Sequence, residues 1–200
     1  MSFSVHDLTL ARGQRVLMTG LNLHLTPGSI HAVVGGNGSG KSTLVSALAG
    51  DLVAAKGEIY LSGERLGGLS DAQQARHRAV LTQATPALPY APWDLIELAA
   101  PTLDQHAVAD LLDFFALGDL ANRQLLTLSG GERGRALLAM TIARGTQTLL
   151  LDEPTAAFDR TFRHRFVEWM QQWREQGKAI LIVTHDAEIE AIADQVTSIG

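Results

Sequence analysis

The sequence predicts an α/β fold built around a largely parallel, twisted sheet, and three stretches predict it. The apolar run Ile30-His31-Ala32-Val33-Val34 enters a glycine-rich turn, Gly35-Gly36-Asn37-Gly38-Ser39-Gly40-Lys41-Ser42-Thr43, which gives way to the helix-like stretch Leu44 to Leu48. A second apolar run, Thr148 to Leu151, ends in Asp152-Glu153, and a third, Ala179 to Val183, closes on Thr184-His185-Asp186. Short apolar runs without polar alternation suit strands covered on both faces, as central parallel strands are. Polar groups at the C-terminal ends of such strands sit where open α/β sheets place their chemistry.

The other elements follow in order. Phe3, Val5, Leu8 and Leu10 lie near alternate positions, and after Gly13 the alternation resumes from Val16 through Leu21, Leu23 and Leu25, which reads as an antiparallel β layer. Pro27-Gly28 turns the chain into the first central strand, where His31 is expected to be packed. Gly50 stops the first helix, Gly57 to Leu61 reads as a strand, and Ser62-Gly63 is its turn. A polar helix from Ser70 to about His77 leads into a strand over Ala79 to Gln83. Pro86, Pro89 and Pro92 then forbid regular helix or central strand over residues 84–92 and mark a connection. Beyond it, Asp94 to Ala100 and Asp104 to Leu117 read as helices, and Arg135 to Ala143 as another after Gly130-Gly131. Between Thr161 and Gln176, Phe162, Phe166, Met170 and Trp173 recur at helical spacing as a core-facing stripe, which Gly177 ends. Val196 to Ile199 is the last strand expected. The organisation expected is one domain over 1–200, with an α/β core of about 1–85 and 135–200 interrupted by a helical subdomain of about 86–134.

Composition narrows the function. With 46% hydrophobic and 18% charged residues in 200, the balance is globular and the length suits one domain. A formal net charge of -5 gives no electrostatic footprint for nucleic acid, which is therefore not an expected partner. The absence of cysteine excludes a disulfide framework and a thiolate metal site, and the seven histidines include no pair at helical metal spacing. No apolar run approaches the ~20 residues that span a bilayer. The opening Met1 to Asp7 lacks the basic-then-apolar pattern of an export signal. If a membrane is involved, the expectation is a chain that sits beside it.

The glycine-rich turn carries the chemistry. In the pattern G-x-x-x-x-G-K-[ST], small residues let several backbone N–H groups curl inward while the following helix points its positive end at the same anion. Gly35, Gly36, Asn37, Gly38, Ser39 and Gly40 thus form a triphosphate cradle of the P-loop NTPase type. Lys41 is expected to reach the β- and γ-phosphates, Thr43 to support the α-phosphate, and the Ser42 hydroxyl to meet Mg²⁺, a hard cation that takes one or two protein oxygens. Asp152 is expected to hold the same Mg²⁺ site, and Glu153 to polarise a water for in-line attack on the γ-phosphate.

With these residues in place the chain resembles the nucleotide-binding subunit of ABC (ATP-binding cassette) proteins over nearly its whole length. Leu128-Ser129-Gly130-Gly131-Glu132 is similar to the LSGGE signature that separates this family from other P-loop NTPases. The resemblance implies that Ser129, Gly130, Gly131 and Glu132 bind the γ-phosphate held by an opposite subunit, so that two cassettes sandwich two ATP molecules. It implies that Gln83 is the glutamine that contacts Mg²⁺ or water and couples to a membrane partner. Asp159, in Ala157-Phe158-Asp159, stands at the D-loop with Phe158 in place of the usual leucine, and His185 resembles the switch histidine that contacts the γ-phosphate. The helical subdomain becomes the ABC-specific one. The partners implied are a second cassette, most simply another copy of this chain, and transmembrane permease subunits, with the chain on the cytoplasmic, inner face of the cell membrane.

Two departures and one finer likeness complete the reading. Before Gly13 the family usually has an aromatic residue that stacks on adenine, whereas this chain has Arg12, whose guanidinium stacks less well; selectivity between ATP and GTP is left open. The chain stops at Gly200, where many importer subunits continue, so a minimal cassette is expected. Ala49-Gly50-Asp51-Leu52 and Arg76-His77-Arg78-Ala79-Val80-Leu81-Thr82-Gln83 resemble the importer branch that handles haem, iron-siderophores and cobalamin. The function expected is an ATPase that drives transport. A soluble ABC ATPase and an ATP-dependent regulatory clamp are the alternatives; retention of Glu153 and His185 argues against the clamp.

Overall fold

The computed structural model describes residues 3–83 and 88–200. Its first sheet is antiparallel: β1 (Phe3–Arg12) and β2 (Arg15–Leu25) form a hairpin, β4 (Lys56–Leu61) pairs with the other edge of β1, and the short β5 (Glu64–Arg65) closes the order β2-β1-β4-β5. The second sheet is parallel, in the order β6-β7-β8-β3-β9, from β3 (Ile30–Val34), β6 (Arg78–Leu81), β7 (Thr148–Asp152), β8 (Ala179–Val183) and β9 (Gln195–Ser198). Helices α1 (Lys41–Leu48), α2 (Asp71–His77), α3 (Pro92–Ala99), α4 (Gln105–Phe114), α5 (Gly130–Ala143), α6 (Arg160–Glu175) and α7 (Ala187–Ile192) connect them. The α/β class with a parallel and an antiparallel sheet is as the sequence predicts.

The central strands explain why an unbroken apolar run was needed. Leu149 and Leu151 of β7 and Ile180 and Ile182 of β8 enter one core with the stripe of α6 and the inner faces of α3, α4 and α5. Their neighbours Leu150, Leu181 and Val183 point the other way, into a second core formed with Leu44, Val45 and Leu48 of α1 and the inner faces of β1 and β4. Side chains on a strand alternate between faces, so a strand covered on both sides must be apolar throughout. Every residue of β7 and β8 is buried. His31 fits this account: it is 3% exposed, its Nε2 lies 2.8 Å from Thr197 Oγ1, and burial holds its pKa below the ordinary histidine value.

The helical stretch is joined to the parallel-sheet core through rings. Phe158 stands edge-on to Phe162 at 4.6 Å, and Phe162 meets Phe115 and Phe114 at the end of α4 at 5.7 and 6.3 Å. Such aromatic pairs favour offset or edge-to-face geometry and add to the area they bury. This is the physical use of Phe158 where leucine is usual: a ring reaches both Phe162 and Phe166, the latter at 5.9 Å.

Several boundaries differ from expectation, each for a local reason. Helix α1 begins at Lys41 rather than Leu44, because Gly40 takes a left-handed φ of 99° and caps it. Pro92, read as part of a connection, is the first residue of α3, in the first turn where the N–H has no intrahelical acceptor to lose. Helix α5 starts at Gly130 rather than Arg135, since the capping box between Ser129 and Glu132 offsets the weak helix propensity of two glycines. The strand expected over Ala79 to Gln83 runs from Arg78 to Leu81, and the final strand begins at Gln195. The six-residue α7, capped by Asp186, was not anticipated. Residues 84–87, which hold Pro86 and the expected subdomain boundary, lie outside the described residues.

Candidate nucleotide site

The turn after β3 is shaped by contacts that only glycine permits. A Cβ at Gly35 would collide with the carbonyl oxygen of Ile199, just past β9, so the neighbouring strand fixes where the turn leaves the sheet. Gly36 and Gly38, by contrast, have open space around them, as a ligand-facing backbone requires. Lys41 starts α1 and is 7% exposed. Its ammonium folds over the turn, donating to the carbonyls of Gly35 at 2.7 Å and Gly36 at 3.0 Å. Those two carbonyls hold the ammonium over the turn, where the backbone N–H groups and the start of α1 also point.

Around this turn lies a cleft of about 410 Å³, lined by Asn37, Gly38, Gly40, Lys41, Ser42, Thr43, Gln83, Glu153 and Arg12, with Arg15 and Leu17. The parallel sheet and the β1–β2 hairpin contribute from opposite sides. Arg15 and Leu17 were not singled out from the sequence. The signal lay in the hairpin register: Arg12 pairs directly with Arg15 across the tip, so both guanidinium groups arrive together.

Asp152 ends β7 beneath the turn. It is 3% exposed, and burial raises its pKa above the usual carboxylate range, opposed by a hydrogen bond from the Ser42 hydroxyl, reinforced by the charge of Glu153, and opposed again by Lys41 and by the backbone N–H of Gln83. Its Oδ1 is buried with no hydrogen-bond partner among the described residues. An orphaned carboxylate oxygen beside a serine hydroxyl is a hard-oxygen donor set that fits Mg²⁺. The carboxylate also destabilises the nucleotide-free chain. A carboxyl whose folded pKa is raised favours folding only at acid pH, and that contribution is lost as pH rises through the folded pKa. At neutral pH, Asp152→Asn is therefore expected to raise the melting temperature without nucleotide while removing the response of nucleotide binding to Mg²⁺. Calorimetry with and without Mg-ATP checks both effects, and an unchanged Mg²⁺ response would remove Asp152 from the site.

Glu153 follows in a strained backbone, with φ at 50° and its N–H bonded to the carbonyl of Val183 at 3.0 Å. This turn, together with the parallel pairing of β7 and β8, sets Glu153 Oε1 2.9 Å from His185 Nε2. The two residues meet because neighbouring strands end level with each other. Thr184 is buried, and its hydroxyl accepts from the N–H of Asp186 at 3.0 Å, turning the chain so that His185 is half exposed.

The remaining candidates stand apart from the cleft. Ser129 caps α5 and is exposed, its Oγ accepting from Glu132 N–H at 3.3 Å while the Glu132 carboxylate accepts from Ser129 N–H at 2.7 Å. That backbone bond, then the Ser129 side chain, holds the Glu132 carboxyl below its usual range. Gly131 lies under the backbone of Ala157, where a Cβ would come within 2.8 Å of the carbonyl oxygen. Ser129, Gly130, Gly131 and Glu132 do not line the cleft of their own chain. Asp159 caps α6, accepting from Phe162 N–H at 2.8 Å.

The family model for ABC transporters matches residues 8–156. The Hemin import ATP-binding protein HmuV of Pseudomonas fluorescens (strain Pf0-1) is 35% identical, the match covering 93% of this chain and 78% of that protein. The HmuV of Thermobifida fusca (strain YX) is 37% identical over 94% of this chain and 70% of its own length. That of Deinococcus radiodurans is 36% identical over 98% and 79%. Among solved structures, an ATP binding subunit of an ABC transporter superposes with a TM-score of 0.90 at 21% identity, over 100% of this chain and 86% of that one. A bacterial Atm1-family ABC exporter with ATP bound gives 0.91 at 20%, over 100% and 37%. At those identities the structures speak for the fold, and the family model and curated relatives for descent. On both grounds this chain belongs to the ABC transporter family, as an ATP-binding, ATP-hydrolysing subunit.

Proposed function

We propose that this chain is the energy-coupling subunit of a haem importer, in which two copies close on two Mg-ATP molecules, hydrolysis reopens them, and membrane permease subunits turn the movement into transport. The observation that carries the reading is the division of groups between two surfaces. Lys41, Ser42, Gln83 and Glu153 face one cleft, whereas the Ser129 to Glu132 turn, with Ser129 and Gly130 exposed, lies outside it. A signature that binds a γ-phosphate from there must take it from a second cassette.

Within the cleft the roles follow from charge and position. The glycine turn and the N-terminal end of α1 cradle the phosphates, Lys41 leaves its two carbonyls for the β/γ oxygens, and Thr43 stands at the α-phosphate. Ser42, Asp152 and Gln83 would hold Mg²⁺, which when bound neutralises charge developing between the β- and γ-phosphates. Glu153 orients and deprotonates the attacking water, with His185 holding its carboxylate and reaching the γ-phosphate. Asp159 belongs to the face where the second cassette docks. The residues of about 86–134 form the helical subdomain that presents Ser129.

Haem as cargo rests on the relatives' names and on the importer-like stretches at Ala49 to Leu52 and Arg76 to Gln83. Among the described residues no helix is long and apolar enough to cross a membrane. The relatives' names, as import ATP-binding proteins, support a peripheral place on the inner face, against a permease. Co-purifying the chain with the permease and binding protein from neighbouring genes and reconstituting them in liposomes tests the proposal. ATP-driven haem uptake is expected, and uptake of cobalamin or an iron-siderophore instead would overturn the cargo.

Arg12 sets base recognition. Without an aromatic platform the triphosphate contacts are blind to the base, so ATP and GTP should compete nearly equally. Arg12→Tyr is expected to tighten ATP binding, since base stacking is worth roughly 1–3 kcal/mol, or about 5- to 150-fold. Competition fluorimetry measures this. A strong preference of the native chain for ATP would show that another residue reads adenine.

A further inference from the structure

We propose that Arg78 is a positioning residue for Gln83: it locks the C-terminal end of the phosphate-binding helix to the strand that delivers the glutamine, so that the placing of Gln83 in the cleft is fixed from the far side of the core. This rests on the reading of Gln83 given above.

The structure brings together two stretches, Ala49 to Leu52 and Arg76 to Gln83, of which only Gln83 enters the nucleotide chemistry. Arg78 is the first residue of β6 and is 7% exposed. Its Nη2 donates to the carbonyl oxygen of Ala49, the C-cap of α1, and to Oε1 of Gln74. Gln74 is itself buried and fixed, its Nε2 donating to the carbonyls of Leu69 at 3.0 Å and Leu66 at 3.3 Å. Gly50 is required here. It sits at a left-handed φ of 79°, and a Cβ would come within 2.9 Å of Gln74 Oε1 and 3.5 Å of Arg78 Nη2. Asp51 supports the charge against burial, and Arg144 donates to the carbonyl of Ala75 at 3.1 Å, pinning the last turn of α2.

A buried guanidinium is unfavourable unless its donors are matched, and here Nη2 gives one to Ala49 at the seam between α1 and β6 and one to Gln74 of α2, while Nε is buried without a partner among the described residues. Strand β6 then runs parallel to β7, from Arg78 opposite Thr148 to Leu81 opposite Leu151. Two residues later the N–H of Gln83 bonds to Asp152. Arg78 opens that ladder, so its anchorage to α1 sets where β6 begins against β7, and an extended chain carries an offset at its start along at about 3.3 Å per residue. Loosening Arg78 therefore displaces Gln83 from Asp152 while the cradle, attached to β3 and β9, stays in place.

The test compares Arg78→Gln, Arg78→Lys, Gln83→Ala and the double variant Arg78→Gln with Gln83→Ala, in the full chain, using mant-ATP fluorescence and ATP turnover. With EDTA, mant-ATP affinity of Arg78→Gln should stay within about twofold of the native chain, since Lys41 and the glycine turn keep their own contacts. The Mg²⁺ concentration at half-maximal response should rise about tenfold, as when the support of a metal site is removed. Turnover should fall about tenfold or more, since small misplacements are amplified. Arg78→Lys should recover part of both losses. In the Gln83→Ala background, Arg78→Gln should add nothing further. Additive losses, or metal-free affinity falling in step with turnover, would overturn the proposal and leave Arg78 a structural residue only. If Arg78→Gln does not fold, Gly50→Ala presses on the same seam from α1 and must give the same Mg²⁺ shift, its absence counting against the proposal. If Gln83→Ala alone changes nothing, the role of Gln83 and this proposal both fail, while loss of binding in Lys41→Ala still upholds the nucleotide site.

Discussion

Glu153→Gln is expected to lower ATP turnover by about 10²-fold or more, the usual range for loss of a general base, while leaving nucleotide binding intact. The amide keeps the size and the hydrogen-bonding reach of the carboxylate, so His185 retains a partner near the 2.9 Å seen for the native pair. What it loses is the capacity to accept a proton from water. The strained backbone at residue 153 makes the substitution a clean one, because φ near 50° is imposed by the bond to Val183 and by the strand end rather than by the side chain. Single-turnover hydrolysis with binding measured in parallel checks the outcome. Normal turnover would show that the base is another group.

Lys41→Ala is expected to abolish productive binding of ATP. The cradle contributes partial charges from backbone N–H groups, whereas Lys41 contributes a whole charge that is 7% exposed and lies in poorly screening surroundings. Removing one preorganised donor from a site of developing charge costs about 10²–10³-fold in rate, and here affinity for the triphosphate falls as well. The fold should survive, because among the described residues Lys41 donates only to carbonyls of its own turn. Isothermal titration with Mg-ATP on a chain of unchanged melting temperature tests this. Native-like affinity would remove the turn from the nucleotide site.

How much of this was legible in the sequence depended on whether the information was local. The turn from Gly35 to Thr43 and the apolar strands announced themselves because pattern and chemistry occupy the same few residues. Helix starts at Lys41 and Gly130 were placed too late, since glycine's poor propensity outweighed capping contacts that are visible only in three dimensions. The place of Arg15 in the cleft needed the hairpin register, and the contact between Glu153 and His185 needed the strand order β6-β7-β8-β3-β9, which no spacing encodes. The seam at Arg78 was the least legible of all. Ala49 and Arg78 carry no periodicity that relates them, and only the packing of α1 against the parallel sheet brings them together.

The central claim is that two cassettes share each ATP, and the mass of Glu153→Gln in solution tests it most directly. ATP touches the Ser129 to Glu132 turn only in the closed pair, so nucleotide stabilises that state by its differential binding. Light scattering should give a monomer without nucleotide and a doubled mass with saturating Mg-ATP. Adding Ser129→Arg, whose bulky side chain would occupy the phosphate's place, should abolish the doubling. The same pair of variants, co-purified with the permease, separates a cassette that needs its membrane partner from one that does not form a sandwich. A complex whose ATP turnover is insensitive to Ser129→Arg, or a doubled mass that persists with it, would contradict the account.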